Sequence, residues 1–154
     1  MRNTWFGRVG IIALVGGLCL GGYGLAHAEK PIKDRFVVLS KDPAWVLDRS
    51  TGLQWQKEPN NSEPMTMTNA VAYCPSLGDG SRLPEVKELL SLVDYSQFTP
   101  ALPSGHPFTT VQSGIYWSAT TYAFLPSLAW MVSFDNGQNN HFDKGNLNLA
   151  WCVR

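Results

Sequence analysis

The sequence predicts one small α+β domain, in which two helices pack on a twisted antiparallel sheet and one disulfide closes the chain. Three observations support this prediction. Two segments have apolar residues at helical spacing, several short apolar runs alternate as strands do, and two cysteines lie far apart after residue 28. A chain of this length suits a single domain with its own core.

The first 28 residues have the pattern of a signal peptide. Arg2 and Arg8 precede an uncharged, glycine-rich apolar stretch, and Ala26 and Ala28 put small residues where a signal peptidase cleaves. We therefore expect cleavage after Ala28 and export to the periplasm or the cell surface. An uncleaved anchor is the alternative, because the stretch approaches the ~20 apolar residues needed to span a bilayer.

Charge excludes one class of partner. Residues 29–154 contain ten basic and twelve acidic residues, since Arg2 and Arg8 leave with the signal peptide, so the formal net charge is −2. Nucleic-acid binding needs clustered lysine and arginine, which this composition lacks. Residues 29–43 mix charges with two prolines and a short apolar run. They predict a lead-in segment or a short edge strand, and residues 44–154 form the domain proper.

Cys74 and Cys152 are the two cysteines that remain after Cys19 leaves with the signal peptide. In an oxidising compartment, a pair of cysteines is expected to form a disulfide, which would contribute roughly 4 to 5 kcal/mol in the chain-entropy model. Two buried free thiols are the alternative.

The first predicted elements are a hairpin and a loop. Residues 45–55 alternate apolar and polar side chains around a turn, in which Gly52 is the expected residue of positive φ. Pro59 and Pro64 then indicate a loop.

Two helices are expected next. The first is indicated by residues 67–73 and begins after a cap at Thr66 or Thr68. Cys74 is expected in its last turn, because Pro75 disfavours continuation of the helix. The second has Pro84 in its first turn, and Glu85 and Glu88 suit the positive end of the helix dipole. Its buried face is predicted from apolar residues at helical spacing, namely Val86, Leu89, Leu90 and Val93.

The second half of the chain predicts a loop and four strands. Residues 96–114 contain three prolines and two glycines and indicate a long surface loop, which is either functional or a plain connection. The strand candidates are residues 115–120, 129–134, 138–142 and 149–153. Asn136 and Gly137 predict a hairpin between the second and third of these.

Several segments together resemble one family, the C-terminal domain of the Legionella collagen-like adhesin. The resemblance spans residues 44–154. The matching residues are Asp48, Thr51, Gly52, Leu53 and Trp55; Ala70, Tyr73 and Cys74; Arg82, Leu83, Pro84, Glu88 and Leu89; Tyr116, Trp117, Ser118, Ala119 and Thr120; Ala129, Trp130, Val132, Phe134 and Gly137; and Lys144, Cys152, Val153 and Arg154.

The resemblance implies a fold and a function. The family is similar to the C-type lectin fold, in which a cysteine of the first helix bonds one in the last strand, as Cys74 and Cys152 would here. It also implies non-catalytic recognition of a glycan or glycosaminoglycan, although the acidic balance weakens polyanion binding. The alternatives are an envelope protein-interaction or assembly module, including a homotrimer, and a hydrolase.

The candidate ligand residues lie in and around the last predicted hairpin. Amides that both donate and accept hydrogen bonds, beside aromatic rings that cover apolar sugar faces, suit carbohydrate. Core packing of Trp117, Trp130 and Trp151 and a solvated polar loop are the alternatives. The candidates are Trp130, Asn136, Gln138, Asn140, His141, Lys144 and Asn146.

Metal and catalytic sites are not predicted. His106 and His141 lack ligand spacing, and no serine has the nucleophile-elbow sequence. The tripeptide at residues 58–60 matches a calcium-binding motif of lectins but precedes the first helix, so it is interpreted as a coincidence. Calcium remains an alternative, because hard cations take oxygen ligands. The oxygen-bearing residues in question are Asp135, Asn136, Asn140, Asp143 and Asn146.

Overall fold

A computed structural model describes residues 34–154. The predicted signal peptide and its cleavage site lie outside the described residues. Neither helix in the described part of the chain is long and apolar enough to span a membrane. The elements are β1 (Phe36–Leu39), β2 (Asp42–Asp48), β3 (Gln54–Gln56), β4 (Asn60–Met65), α1 (Met67–Ser76), α2 (Val86–Leu92), β5 (Ile115–Thr121), β6 (Leu128–Ser133), β7 (Asn139–Asp143) and β8 (Asn148–Ala150).

The strands form two sheets. Strands β1, β2 and β3 pair in that order, and the hairpin predicted around Gly52 (φ 77°) is β2–β3. The larger sheet has the order β4-β8-β5-β6-β7. The prediction of a purely antiparallel sheet is wrong at one strand pair. Strand β8 does not pair with β7; it inserts between β4 and β5 and runs parallel to β5, with Tyr116 opposite Leu149.

The two helices pack on opposite faces of the larger sheet. Tyr116 and Trp117 are consecutive in β5, so their side chains point to opposite faces. Tyr116 packs in one core cluster with Leu89 of α2, and Trp117 packs in another with Ala70 of α1. The α+β class with two helices on a sheet is therefore confirmed, with a second, three-stranded sheet in addition.

Two predictions about prolines are wrong. Residues 60–65, expected as part of a loop, form β4 at the edge of the sheet. Pro64 is tolerated there because β4 pairs at Asn60 and Met65 with an irregular register between them. Pro84 precedes α2 instead of starting it. The helix begins after Glu85, whose side chain forms a capping box with Glu88.

The first helix and the long loop also differ in detail from expectation. α1 is capped by Thr66, as predicted, but runs through Pro75 to Ser76. The predicted last strand is shorter and ends at Ala150. Residues 96–114 contain no strand or helix, as expected, but they are not only a surface connection. They bury Ala101, Leu102 and Phe108 in the core.

The disulfide between Cys74 and Cys152 is formed, and both residues are fully buried. It joins α1 to the segment after β8, with a Cα–Cα distance of 5.4 Å. The pairing is confirmed, and the alternative of two free thiols is wrong.

An ion pair between Arg35, which precedes β1, and the buried carboxylate of Asp48 links β1, β2 and α2. Arg35 donates to both carboxylate oxygens of Asp48 (2.9 and 2.7 Å) and to the carbonyl oxygen of Ser91 (2.6 Å). The Asp48 side chain is fully buried and also accepts from the amide and hydroxyl of Ser50. Burial alone would raise the pKa of Asp48. The hydrogen bonds from Arg35 and Ser50 outweigh that effect and hold this pKa below its ordinary value.

Removing the disulfide by Cys74→Ala with Cys152→Ala is expected to lower the free energy of unfolding by roughly 4 kcal/mol, because it opens a loop with a sequence separation of 78. Urea denaturation of the oxidised wild type, the reduced wild type and the double variant measures the effect. The reduced wild type should match the double variant, which should not respond to reductant. Equal midpoints for the oxidised and reduced wild type would contradict the prediction.

Asp48→Asn is expected to lower the free energy of unfolding by about 3 kcal/mol at neutral pH, since it leaves Arg35 without its partner. Because the folded-state pKa is depressed, this stabilisation is present above the ordinary carboxyl pKa and is lost as the pH falls through the depressed value. The difference between wild type and variant should therefore shrink in acid. Asp79→Asn is the matched control.

The Asp79 side chain is 75% exposed and also pairs with an arginine, so its replacement should cost less than about 1 kcal/mol. Chemical denaturation of all three proteins across acidic and neutral pH tests both expectations. Equal losses for the two variants at neutral pH would refute the role assigned to the buried pair.

Candidate functional site

The hairpin β6–β7 brings two of the predicted ligand residues together. Trp130 lies directly opposite His141 in the strand register. Their rings meet edge to face with centroids 5.6 Å apart, and both side chains are half-buried. Residues opposite each other in an antiparallel pair share one face of the sheet, so Trp130 and His141 form one surface.

The connection between β5 and β6 adds two more rings to this surface. Tyr122 stacks on His141 with a centroid distance of 4.0 Å and an interplanar angle of 25°, and its edge contacts Trp130 at 5.5 Å. Phe124 lies 5.7 Å from Tyr122 and is 87% exposed. We call these four residues, Tyr122, Phe124, Trp130 and His141, the aromatic patch.

Sequence reasoning missed Tyr122 and Phe124. A signal was nevertheless present, because residues 122–126 place two aromatic residues and Leu125 beside a proline in a connection between two strands. Connections between strands are usually rich in Gly, Asn, Asp and Ser, so large apolar side chains there indicate a surface with a function.

Lys144 lies on the opposite face of the sheet from the aromatic patch. Its ammonium donates to the hydroxyl of Thr121 (2.9 Å), and its backbone N–H donates to the carbonyl of Ser127 (3.0 Å). Thr121 is opposite Ala129, which packs with α1, whereas Trp130 follows Ala129 in β6 and points to the other face.

Thr120, the neighbour of Thr121 in β5, shares the α2 face with the patch. Its hydroxyl accepts from the N–H of Val86 (3.0 Å) and donates to the carboxylate of Glu85.

The other predicted ligand residues do not join this surface. Asn136 and Gln138 lie at the opposite end of β7, where the Asn136 side chain accepts from the Gln138 N–H (3.0 Å). Asn140 is opposite Met131 and therefore points to the other face of the sheet. Asn146 lies in the turn after β7 and donates its N–H to the carbonyl of Asp143 (2.9 Å). Of the seven residues, the structure assembles Trp130 and His141 on one surface.

The suggested oxygen ligands are also divided. Asp135 and Asn136 precede β7, whereas Asp143 is its last residue and Asn146 follows it, so roughly 13 Å of extended strand separates the two groups. No single ion contacts both groups at that separation. It also exceeds the ~5 to 10 Å between the carboxyl groups of a glycosidase, so Asp135 and Asp143 do not form such a pair.

Within residues 34–154, no three histidine, cysteine or acidic side chains converge as metal ligands would. His106 packs against Phe108 in the long loop, away from His141. Burial lowers the pKa of His106, and a hydrogen bond with the backbone of Phe108 opposes this shift. Residues 58–60 lead into β4, and Glu58 accepts from the Thr109 hydroxyl (2.9 Å) before the strand begins.

These observations define a disulfide-closed α+β domain with an aromatic patch on the outer hairpin of its larger sheet. Residues 44–154 match the model of one family, the Lcl C-terminal domain, and the chain belongs to that family. This is the collagen-like adhesin family that the residue pattern resembles. A comparison with curated proteins finds no match to the chain.

Gly137 closes the turn that sets the register of β6 against β7. Its φ is +77°, and an added Cβ would lie 2.5 Å from Cγ1 of Val93. Gly137→Ala should therefore destabilise the domain through both backbone strain, about 1 to 2 kcal/mol, and a clash of about 1 to 3 kcal/mol. Thermal unfolding measures the loss.

Gly80→Ala is the control for backbone strain alone, because Gly80 has a φ of +74° and an added Cβ would find open space. The prediction requires a clearly larger loss for Gly137→Ala. Similar losses for the two variants would show that Val93 moves aside without cost.

Proposed function

We propose that the domain is a non-catalytic recognition module that binds glycan through the aromatic patch, in the periplasm or at the cell surface. The observation that carries this proposal is the group of rings around Tyr122, of which Phe124 is almost fully exposed. The adhesin-related family supports recognition as the general role.

The geometry of the rings suits a sugar. The rings of Tyr122 and Phe124 lie at the outer side of the patch, where Phe124 is almost fully exposed, and apolar ring faces cover the C–H face of a pyranose. The hydroxyl of Tyr122 and the imidazole of His141 add groups that donate and accept hydrogen bonds. Rigid rings lose little conformational entropy on binding, which favours them as contact residues.

Charge favours a neutral glycan over a highly sulfated one. Glu85 and Asp143 lie on the same face of the sheet as the patch, whereas Lys144 lies on the other face. Residues 29–154 carry a formal charge of −2, so no positive field attracts a polyanion. We therefore propose a neutral or weakly charged oligosaccharide as ligand.

A second candidate function is protein binding, including self-association as a trimer. The exposure of Leu125 (52%) next to Phe124 favours it, because a branched aliphatic side chain contributes more to a protein interface than to a sugar site.

The test is a glycan array probed with residues 29–154, with and without a calcium chelator. We expect chelator-insensitive binding to neutral glycans. Phe124→Ala and Tyr122→Ala should weaken it about ten-fold or more, since each removes a ring that would be covered by the ligand. Titration of the best glycan by calorimetry measures the change.

Phe98→Ala is the matched control, because Phe98 is 78% exposed but lies in the long loop. It should bind as the wild type does. Two results together would replace the glycan proposal with the protein-binding one. The array would show no binding at high protein concentration, and light scattering would show self-association that Phe124→Ala abolishes.

A further inference from the structure

A second surface feature runs from β4, at the other edge of the larger sheet, along the neighbouring ends of β8, β5 and β6. Two depressions of about 410 and 430 Å³ meet there at Gln112. Gln56 and Glu58 line the first depression, and Leu147 and Asn148 line the second. We call the two depressions together the β4 groove.

Two buried amide groups in the β4 groove lack hydrogen-bond partners. Asn148 is 9% exposed and its Nδ2 donor is unpartnered, and the Oε1 acceptor of Gln56 is buried and unpartnered as well. Leaving such a group unpaired costs about 1 to 3 kcal/mol, so each requires an explanation. One group donates and the other accepts, as a ligand with both functions requires.

The two groups are spaced along the chain. The N–H of Gln56 donates to the carbonyl of Cys152, four residues after Asn148. Four residues of extended chain span roughly 13 Å, so the groove suits a ligand that is also extended.

Charge and polarity restrict the class of ligand. The charged side chains in the described lining are Glu58 in the first depression and Asp135 in the second, with no lysine, arginine or histidine. Leu147 is 65% exposed at the rim, beside Ile115 and Leu149. The groove therefore combines negative charge with an apolar subsite.

The wall of the groove holds a strained residue. Thr110 has a φ of +58°, which is rare for a β-branched residue and costs about 1 to 3 kcal/mol. Strain of this kind concentrates at binding and catalytic sites, where the surrounding structure maintains it.

We infer that the β4 groove binds an extended, uncharged or basic peptide segment of a partner protein. A peptide carbonyl accepts from Asn148 Nδ2, a peptide N–H donates to Gln56 Oε1, and an apolar side chain covers Leu147. A sugar suits the groove less well, because the second depression has no aromatic ring among its described lining residues. This site is separate from the aromatic patch and does not depend on the glycan proposal.

The test uses residues 29–154 and two capped hexapeptides, one of lysine, valine, leucine and alanine and one with glutamate in place of lysine. Nuclear magnetic resonance titration should show binding of the basic peptide, with shifts at Asn148, Gln112 and Leu147, and weaker binding of the acidic one. Asn148→Asp should weaken binding of the basic peptide about ten-fold, because it removes the buried donor.

Asn69→Asp is the matched control, since it adds the same charge on an exposed residue of α1 outside the groove lining. It should leave binding unchanged. If Asn148→Asp loses its fold by circular dichroism, Gln112→Ala at the junction of the depressions replaces it, with the same expected loss.

Three results would overturn the inference. The first is no binding of either peptide at millimolar concentration, and the second is equal binding by the groove variant and the control. The third is self-association of the domain that the groove variant abolishes, which would assign the groove to a second copy of this chain.

Discussion

The structure depends on the return of residues 151–154 into the centre of the domain. Trp151 is fully buried and donates its indole N–H to the carbonyl of Gln56 (2.7 Å). Cys152 forms the disulfide to α1, and Val153 bridges both Trp55 and Arg82. Four consecutive residues therefore connect the small sheet, the first helix and the segment before the second helix.

Arg154, the last residue of this segment, adds ion pairs to these contacts. Arg154 exchanges backbone hydrogen bonds with Gln54 (2.9 Å each), and its guanidinium donates to Asp42 (2.7 Å) and Asp79 (3.1 Å). The same group lies 4.3 Å from the centre of the Trp45 ring. A planar guanidinium makes all these contacts at once, which a lysine would not. The small sheet is thereby held to the residues that follow β8.

Much of the fold follows from local patterns. The helix dipole residues at Glu85 and Glu88, the glycines of positive φ and the alternation in β5 to β7 are visible in the sequence, because each is a property of neighbouring residues. The position of β8 is not local. Its parallel pairing with β5 depends on long-range packing around Trp151, and its insertion beside β4 makes a strand of residues that two prolines mark as a loop.

The candidate site was predictable in part for the same reason. Trp130 and His141 share a face because the turn at Gly137 sets the register. The turn and the two strands beside it are visible in the local sequence. Asn136 and Gln138 are close to His141 in sequence, but they lie before the start of β7 and therefore outside the patch. Tyr122 reaches His141 only through tertiary contact, which residue spacing does not show.

The two proposed recognition surfaces involve the two edge strands of the larger sheet, β7 and β4. Features of these strands explain why we assign binding to side chains and not to the strand backbone. An open edge strand offers its backbone to any other strand and promotes aggregation. In β4, Pro64 and the irregular register block such pairing. In β7, polar side chains and a charged end reduce it.

With strand addition suppressed, both proposals depend on particular side chains. The glycan proposal rests on the rings beside β7, and the peptide proposal rests on the unpaired amide groups of Gln56 and Asn148. The aromatic patch and the β4 groove share no residue. The two proposed sites are therefore compatible with a glycan and a protein segment bound at the same time.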